Sequence, residues 1–171
     1  MRFEDWVRSR LAGLMRFAMV LCCDAGLAED VVQEVLVKAY QRWDTIERLD
    51  RPEAYVRRMI VNEHLNWRRK WARYLPSASV GATEPVADFA DENAERAELL
   101  AELAKLPPRQ RAVLALRYYA GLSDAEIAET LSCRPSTVRS QAARALAALR
   151  IELRPGVPVP PSPKPGADHA H

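Results

Sequence analysis

Residues 106–150, LPPRQRAVLALRYYAGLSDAEIAETLSCRPSTVRSQAARALAALR, constrain the fold more than any other part of this 171-residue chain, because they spell two short helices at a tight turn, buttressed by a third. Ser123 and Glu126 form a capping box: the serine oxygen accepts from the backbone N–H of Glu126 while the glutamate reaches back, which predicts a helix starting at Asp124. Its inner face is Ile127, Ala128 and Leu131. Pro135, with φ preset and no N–H to lose, suits the first turn of a second helix, which carries Val138, Ala142, Ala145, Leu146 and Leu149 as an apolar stripe. Only Ser132, Cys133 and Arg134 are left for the turn, so the pattern is a helix-turn-helix. The outward positions Arg134, Ser136, Thr137, Arg139, Ser140, Gln141 and Arg144 are all capable of hydrogen bonding, as a helix presented to phosphates and base edges in a major groove requires.

Composition excludes several classes. With 49% hydrophobic residues the chain can bury one good core or two small ones. It has six glycines, and neither a GxGxxG nor a Walker A pattern, which argues against a phosphate-loop enzyme. Two of the three histidines lie in the tail, there is no nucleophile elbow, and the acids fall on helical surfaces, so no catalytic constellation, cofactor or metal set is expected. The longest apolar runs, such as 17–23, fall short of a bilayer span, and Arg2, Glu4, Asp5 and Arg8 leave no apolar leader. A cytoplasmic protein without membrane insertion is expected. Cys22, Cys23 and Cys133 lack CxxC spacing with no histidine near them, and read as buried thiols rather than redox sensors.

The net charge of +2 hides segregation. Between residues 57 and 73, Arg57, Arg58, Arg68, Arg69, Lys70 and Arg73 face one acid, Glu63. Between 84 and 102, seven acids face only Arg96. A basic stripe is commonly a solvated face; interleaved with Trp67, Trp71 and Tyr74 it equally describes a nucleic-acid surface. Those aromatics, spaced by four and three, fit core packing better than stacking platforms, and His64 fits a surface or core histidine.

Helical periodicity runs from Phe3 to Cys22 and through AEDVVQEVLVKAYQRWDTI, where Ala28, Val32, Val35, Leu36, Ala39 and Trp43 share one face and Asp30, Gln33, Glu34 and Val37 the other. A third helix begins near Pro52, with Tyr55, Met59, Asn62 or Glu63, and Asn66 returning at helical intervals. Another spans 92–105 and breaks at Pro107 and Pro108. The expected fold is all-α, with two small helical domains over 4–75 and 92–153, a flexible linker over 76–91 and a disordered proline-rich tail over 154–171.

Three strings in this order, AEDVVQEVLVKAYQRW, PEAYVRRMIVNEHLNWRRK and LPPRQRAVLALRYYAGLSDAEIA, resemble a bacterial sigma factor of the extracytoplasmic-function (ECF) group, closest to its SigE-like actinobacterial branch. The resemblance covers residues 4–150 and implies a σ2-like and a σ4-like domain that direct promoter-specific initiation. It implies core RNA polymerase and promoter DNA as partners, and leaves an anti-sigma factor open as a third. The DxxQE motif, here Asp30, Gln33 and Glu34, would dock on the β′ clamp coiled coil. The helix from Pro52 would read and melt the −10 element, with Asn62 near the pocket for an unstacked base and Arg57, Arg58, Arg68, Arg69, Lys70 and Arg73 along the exposed backbone. The σ4-like part would grip the β flap and read the −35 element through the seven outward positions named above. The turn departs from the family's LGxS: Ser132 stands where glycine is usual, Arg134 and Pro135 replace the serine cap, and Gln141 replaces a frequent arginine, which shifts readout toward adenine or water-mediated contacts. The rival reading is a stand-alone LuxR-type regulator, which needs a receiver, ligand pocket or dimerisation helix where this chain has the DxxQE and basic helices.

Overall fold

The computed structural model describes residues 1–74 and 94–152; the expected linker and tail lie outside the described residues. Helix α1 spans Phe3–Cys22, with Glu4 and Asp5 at the positive end of its dipole, and closes at Cys23 in the left-handed region, whose N–H bonds the Met19 carbonyl. Asp24 then caps α2 (Ala25–Gln41) by accepting from the Leu27 N–H at 2.7 Å, so this helix starts three residues before the sequence pattern places it. Its expected continuation through Trp43 breaks at Arg42 (φ −121°), and α3 is a single turn, Trp43–Ile46. The 23-residue α4 runs Pro52–Tyr74.

Leu14, Phe17 and Leu21 of α1, Val32 and Val35 of α2, Ile46, and Val56, Ile60 and Val61 of α4 are each under 2% exposed and form the core of this half. Phe3, Trp6 and Trp43 pack with ring centroids 5.0–6.4 Å apart at one end. The buried stripe of α4 is Val56, Ile60, Val61 and His64, turned about one residue from the expected one; Asn62 is exposed and Tyr55 and Met59 are half-buried. Val56, Ile60 and Val61 take the buried side because α4 packs on both α1 and α2.

The second half comprises α5 (Ala94–Lys105), α6 (Pro108–Leu114), a π-helical turn (Ala115–Tyr119), α7 (Asp124–Thr130) and α8 (Pro135–Glu152). Both arms of the Ser123–Glu126 capping box form, at 2.8 Å and 3.3 Å, and Ile127, Ala128, Leu131, Val138, Ala142, Ala145 and Leu149 are buried as expected. Ser132 holds φ of 50° in the turn. A side chain there costs about 1 kcal/mol over glycine. Ser132→Gly is therefore expected to raise the unfolding free energy by about 1 kcal/mol in urea titration; a loss of stability contradicts the left-handed turn.

The two halves touch: α6 and the π-turn pack on α1, and α6 on α4, so the buried apolar residues run as one continuous cluster. Arg111 of α6, 4% exposed, enters this seam beside Cys22, Cys23, His64 and Arg68. The fold also brings His64 to the cysteines, with its Nδ1 3.4 Å from the Cys22 Sγ, although no histidine is near them in sequence.

Candidate nucleic-acid interface

Helix α8 begins where the Arg134 carbonyl accepts from the Thr137 and Val138 N–H groups at 2.9 Å and 3.2 Å. That geometry sets Arg134, Ser136, Thr137, Arg139, Ser140 and Arg144 exposed on one side, with Gln141 half-buried at its edge and Val138 and Ala142 on the core side. The Ser140 hydroxyl donates back to the Thr137 carbonyl at 3.0 Å. Among the described residues, no ion pair engages Arg134, Arg139 or Arg144, so three cations and several hydroxyls face solvent together. This is the surface a phosphate backbone neutralises.

On α4 the structure splits the expected cations. Arg69, Lys70 and Arg73 are exposed, Arg69 donating to Asn66 at 2.9 Å. Arg57 is instead held by Glu53 at 2.5 Å, lies 5.6 Å from the Phe17 ring centroid and donates to the Tyr119 carbonyl. Arg58 reaches Glu126, and Arg68 is half-buried, its guanidinium pushed down from its ordinary value by burial and then by Arg111. Asn62 stands on the rim of a groove it shares with Tyr55, Arg58 and Met59 and, across it, Glu129, Thr130 and Ser132.

The aromatics correct the expectation of core packing. Trp67 is half-buried against Trp71 (5.4 Å), but Trp71 is 47% and Tyr74 81% exposed. Spacing by four and three places them on one face, but it does not tell whether a second element covers that face.

On α2, Asp30, Gln33 and Glu34 are all exposed, opposite the buried Ala28, Val32 and Val35. Asp30 and Gln33 make no side-chain hydrogen bond or ion pair among the described residues; Glu34 pairs with Lys38 at 3.2 Å. Lys38 also reaches Glu63 of α4 at 2.5 Å, and this hydrogen bond holds its ammonium above the ordinary range. Val37 (58% exposed) and Tyr40 (61%) extend the face with apolar surface. The sequence reading missed Tyr40, although it follows Val37 by one helical step along the outer side. Mixed acidic, amide and aromatic surface of this kind suits a protein partner.

Of the three cysteines expected to be buried thiols only Cys22 is; Cys23, at the end of α1, and Cys133, in the turn before α8, are half-buried. Burial, then Arg111 and Arg68, pulls His64 down to about 3, and burial pushes the Cys22 thiol up to about 12 and raises Cys23. Both shifts favour the protonated thiol at neutral pH.

A helix-turn-helix with a free polar face, joined to a helical unit that presents a basic helix and an acidic one, defines a DNA-reading protein with a second, macromolecular contact. The family descriptions "Sigma-70 region 2" and "Sigma-70, region 4" match residues 6–74 and 96–149. The RNA polymerase sigma-E factor of Streptomyces coelicolor is 37% identical over 90% of this chain and 86% of its own length. The ECF RNA polymerase sigma factor SigL of Mycobacterium tuberculosis is 34% identical over 84% of each. Among solved structures, the sigma factor RpoE of Bartonella quintana, in complex with the anti-sigma factor NepR, superposes with a TM-score of 0.70 at 24% identity, covering 91% of this chain and 98% of that one. CnrH, in complex with the cytosolic domain of CnrY, gives 0.55 at 25% identity over 87% and 85%. The chain belongs to the sigma-70 family, in its extracytoplasmic-function group. It is thus a sigma factor directing transcription initiation. Having both regions on one chain separates it from a stand-alone helix-turn-helix regulator. No helix among the described residues is long and apolar enough to cross a membrane.

Proposed function

We propose that the chain works as a non-enzymatic cytoplasmic initiation factor with a division of labour between its halves. Residues 4–75 bind core RNA polymerase through Asp30, Gln33 and Glu34 at the β′ clamp coiled coil, and hold the opened −10 element on α4. There Asn62 takes the unstacked base, while Arg57, Arg58, Arg68, Arg69, Lys70 and Arg73 meet the backbone. Residues 92–153 read the −35 element with Arg134, Ser136, Thr137, Arg139, Ser140, Gln141 and Arg144, and grip the β flap; 76–91 link the two. The cationic face of α8, where Arg134, Arg139 and Arg144 make no ion pair among the described residues, supports the −35 role most strongly, because exposed arginines on such a helix suit phosphates and guanine edges. The NepR and CnrY complexes of structural relatives support an anti-sigma protein as a further partner. Each half offers only a small basic surface, so specificity arises when polymerase fixes their spacing.

Transcription by core polymerase on a library of promoter fragments tests this reading. The chain is expected to select fragments sharing one −35 and one −10 sequence. Tight two-fold symmetric footprints from the free protein, with no transcription, contradict it.

A further inference from the structure

Helix α1 carries cations that neither the −10 nor the −35 assignment uses. Arg10 of α1 pairs with Glu53 of α4 at 3.1 Å, and the same carboxylate holds Arg57 at 2.5 Å, so guanidinium groups from two helices share one anion. Arg57 lies 5.6 Å from the ring centroid of Phe17, which sets it against α1. One turn before Phe17, Gly13 has no side chain. A Cβ there would stand 3.9 Å from Arg57 Nη2 and 4.0 Å from Arg16 Nη2, so these two guanidinium groups flank bare backbone. Arg16 is exposed and makes no ion pair or side-chain hydrogen bond among the described residues. Arg10, Arg57 and Arg16 therefore form one strip across the junction of α1 with the first turns of α4, and the one carboxylate paired with them there is Glu53.

We propose that this strip carries the backbone of the non-template strand on past the −10 element, with Arg16 as a phosphate contact for the nucleotides that follow it toward the start site. This rests on the −10 role assigned to α4. The opened strand must continue in that direction, because the template base copied first has to be unpaired. Arg57, already assigned to the −10 backbone, joins the two stretches. Glu53 neutralises only one of its two arginines, so the strip keeps a positive field. A single strand needs cations spaced along its path, and an exposed guanidinium without a partner gives up least on meeting a phosphate.

The test uses holoenzyme reconstituted from core polymerase and full-length wild-type, Arg16→Gln or Arg8→Gln protein. Arg8, exposed and paired with Asp5 at 3.1 Å, lies about two turns nearer the start of α1 and controls for loss of one positive charge away from Arg16. Anisotropy reads two labelled non-template single strands carrying the −10 sequence recovered from the promoter library. One ends with that element, and the other continues about six nucleotides toward the start site. Arg16→Gln is expected to bind the longer strand about fivefold more weakly at low salt, with the slope of log affinity against log salt shallower by about 0.7. Its binding of the shorter strand, and both strands with Arg8→Gln, should stay within about twofold of wild type. Undiminished affinity of Arg16→Gln for the longer strand overturns the proposal, as does a loss equal on both strands or matched by Arg8→Gln. Failure of the −10 reading is a different result that also removes this one: wild-type holoenzyme then holds the shorter strand no better than one with a scrambled −10 sequence.

Discussion

A folded Asp30→Arg, Glu34→Arg variant is expected to lose core RNA polymerase by at least about a hundredfold, because reversing two charges at a complementary interface replaces attraction with repulsion. The exposure of both side chains makes this a test of docking rather than of folding. Asp30 has no side-chain partner among the described residues, and Glu34 gives up only its pair with Lys38, which keeps Glu63. Exposed pairs of this sort contribute little to stability. Circular dichroism and urea unfolding should therefore match wild type, while immobilised core polymerase retains far less of the variant. Unchanged retention by the folded variant contradicts the docking face.

The second large effect is on stability against pH. His64 is fully buried, and its folded-state value of about 3 lies below the ordinary 6.5. The unfolded state therefore takes up the proton first. Stability is complete above about pH 6.5 and falls as pH drops toward about 3, where the folded state binds the proton too. Between pH 7 and pH 4 the loss attributable to His64 is about 3 kcal/mol. Glu126, held low by the Ser123 N–H, adds a loss of the same sign at the acidic end. Urea titrations at pH 7, 5.5 and 4 measure the slope, and His64→Leu is expected to flatten it between pH 6.5 and 4.5, above the range where carboxylates dominate. An unchanged slope in that window contradicts the burial of a neutral imidazole between Cys22, Arg68 and Arg111.

The helix-turn-helix was legible because its signals are local. A capping box needs only Ser123 and Glu126, and Pro135 marks a first turn whatever lies around it. The acidic face of α2 was legible for a related reason, since one strong apolar stripe leaves the opposite side to solvent. Helix α4 was harder: two neighbours compete for its faces, so periodicity alone misplaced the buried stripe by about one residue and sent Trp71 and Tyr74 inward. The engagement of Arg57, Arg58 and Arg68 depends on the seam between the halves, which no local pattern encodes. Arg111 did leave a signal, standing three and four residues before the buried Leu114, which ends α6, and Ala115, which opens the π-turn. A cation on a core stripe marks either a partner or a seam. The break at Arg42 left none that helix spacing records.

Permanganate footprinting of unpaired thymines by reconstituted holoenzyme tests the account most directly, because it reads promoter opening at the residue assigned to hold the extruded base. Extrusion costs a few kcal/mol, which the base pocket must offset. Holoenzyme with Asn62→Ala is expected to keep polymerase binding and −35 protection while its duplex opening falls by about tenfold, with partial recovery on a template already unpaired at the −10 element. If Asn62→Ala opens duplex promoters at the wild-type level, the base-holding role of α4 is contradicted.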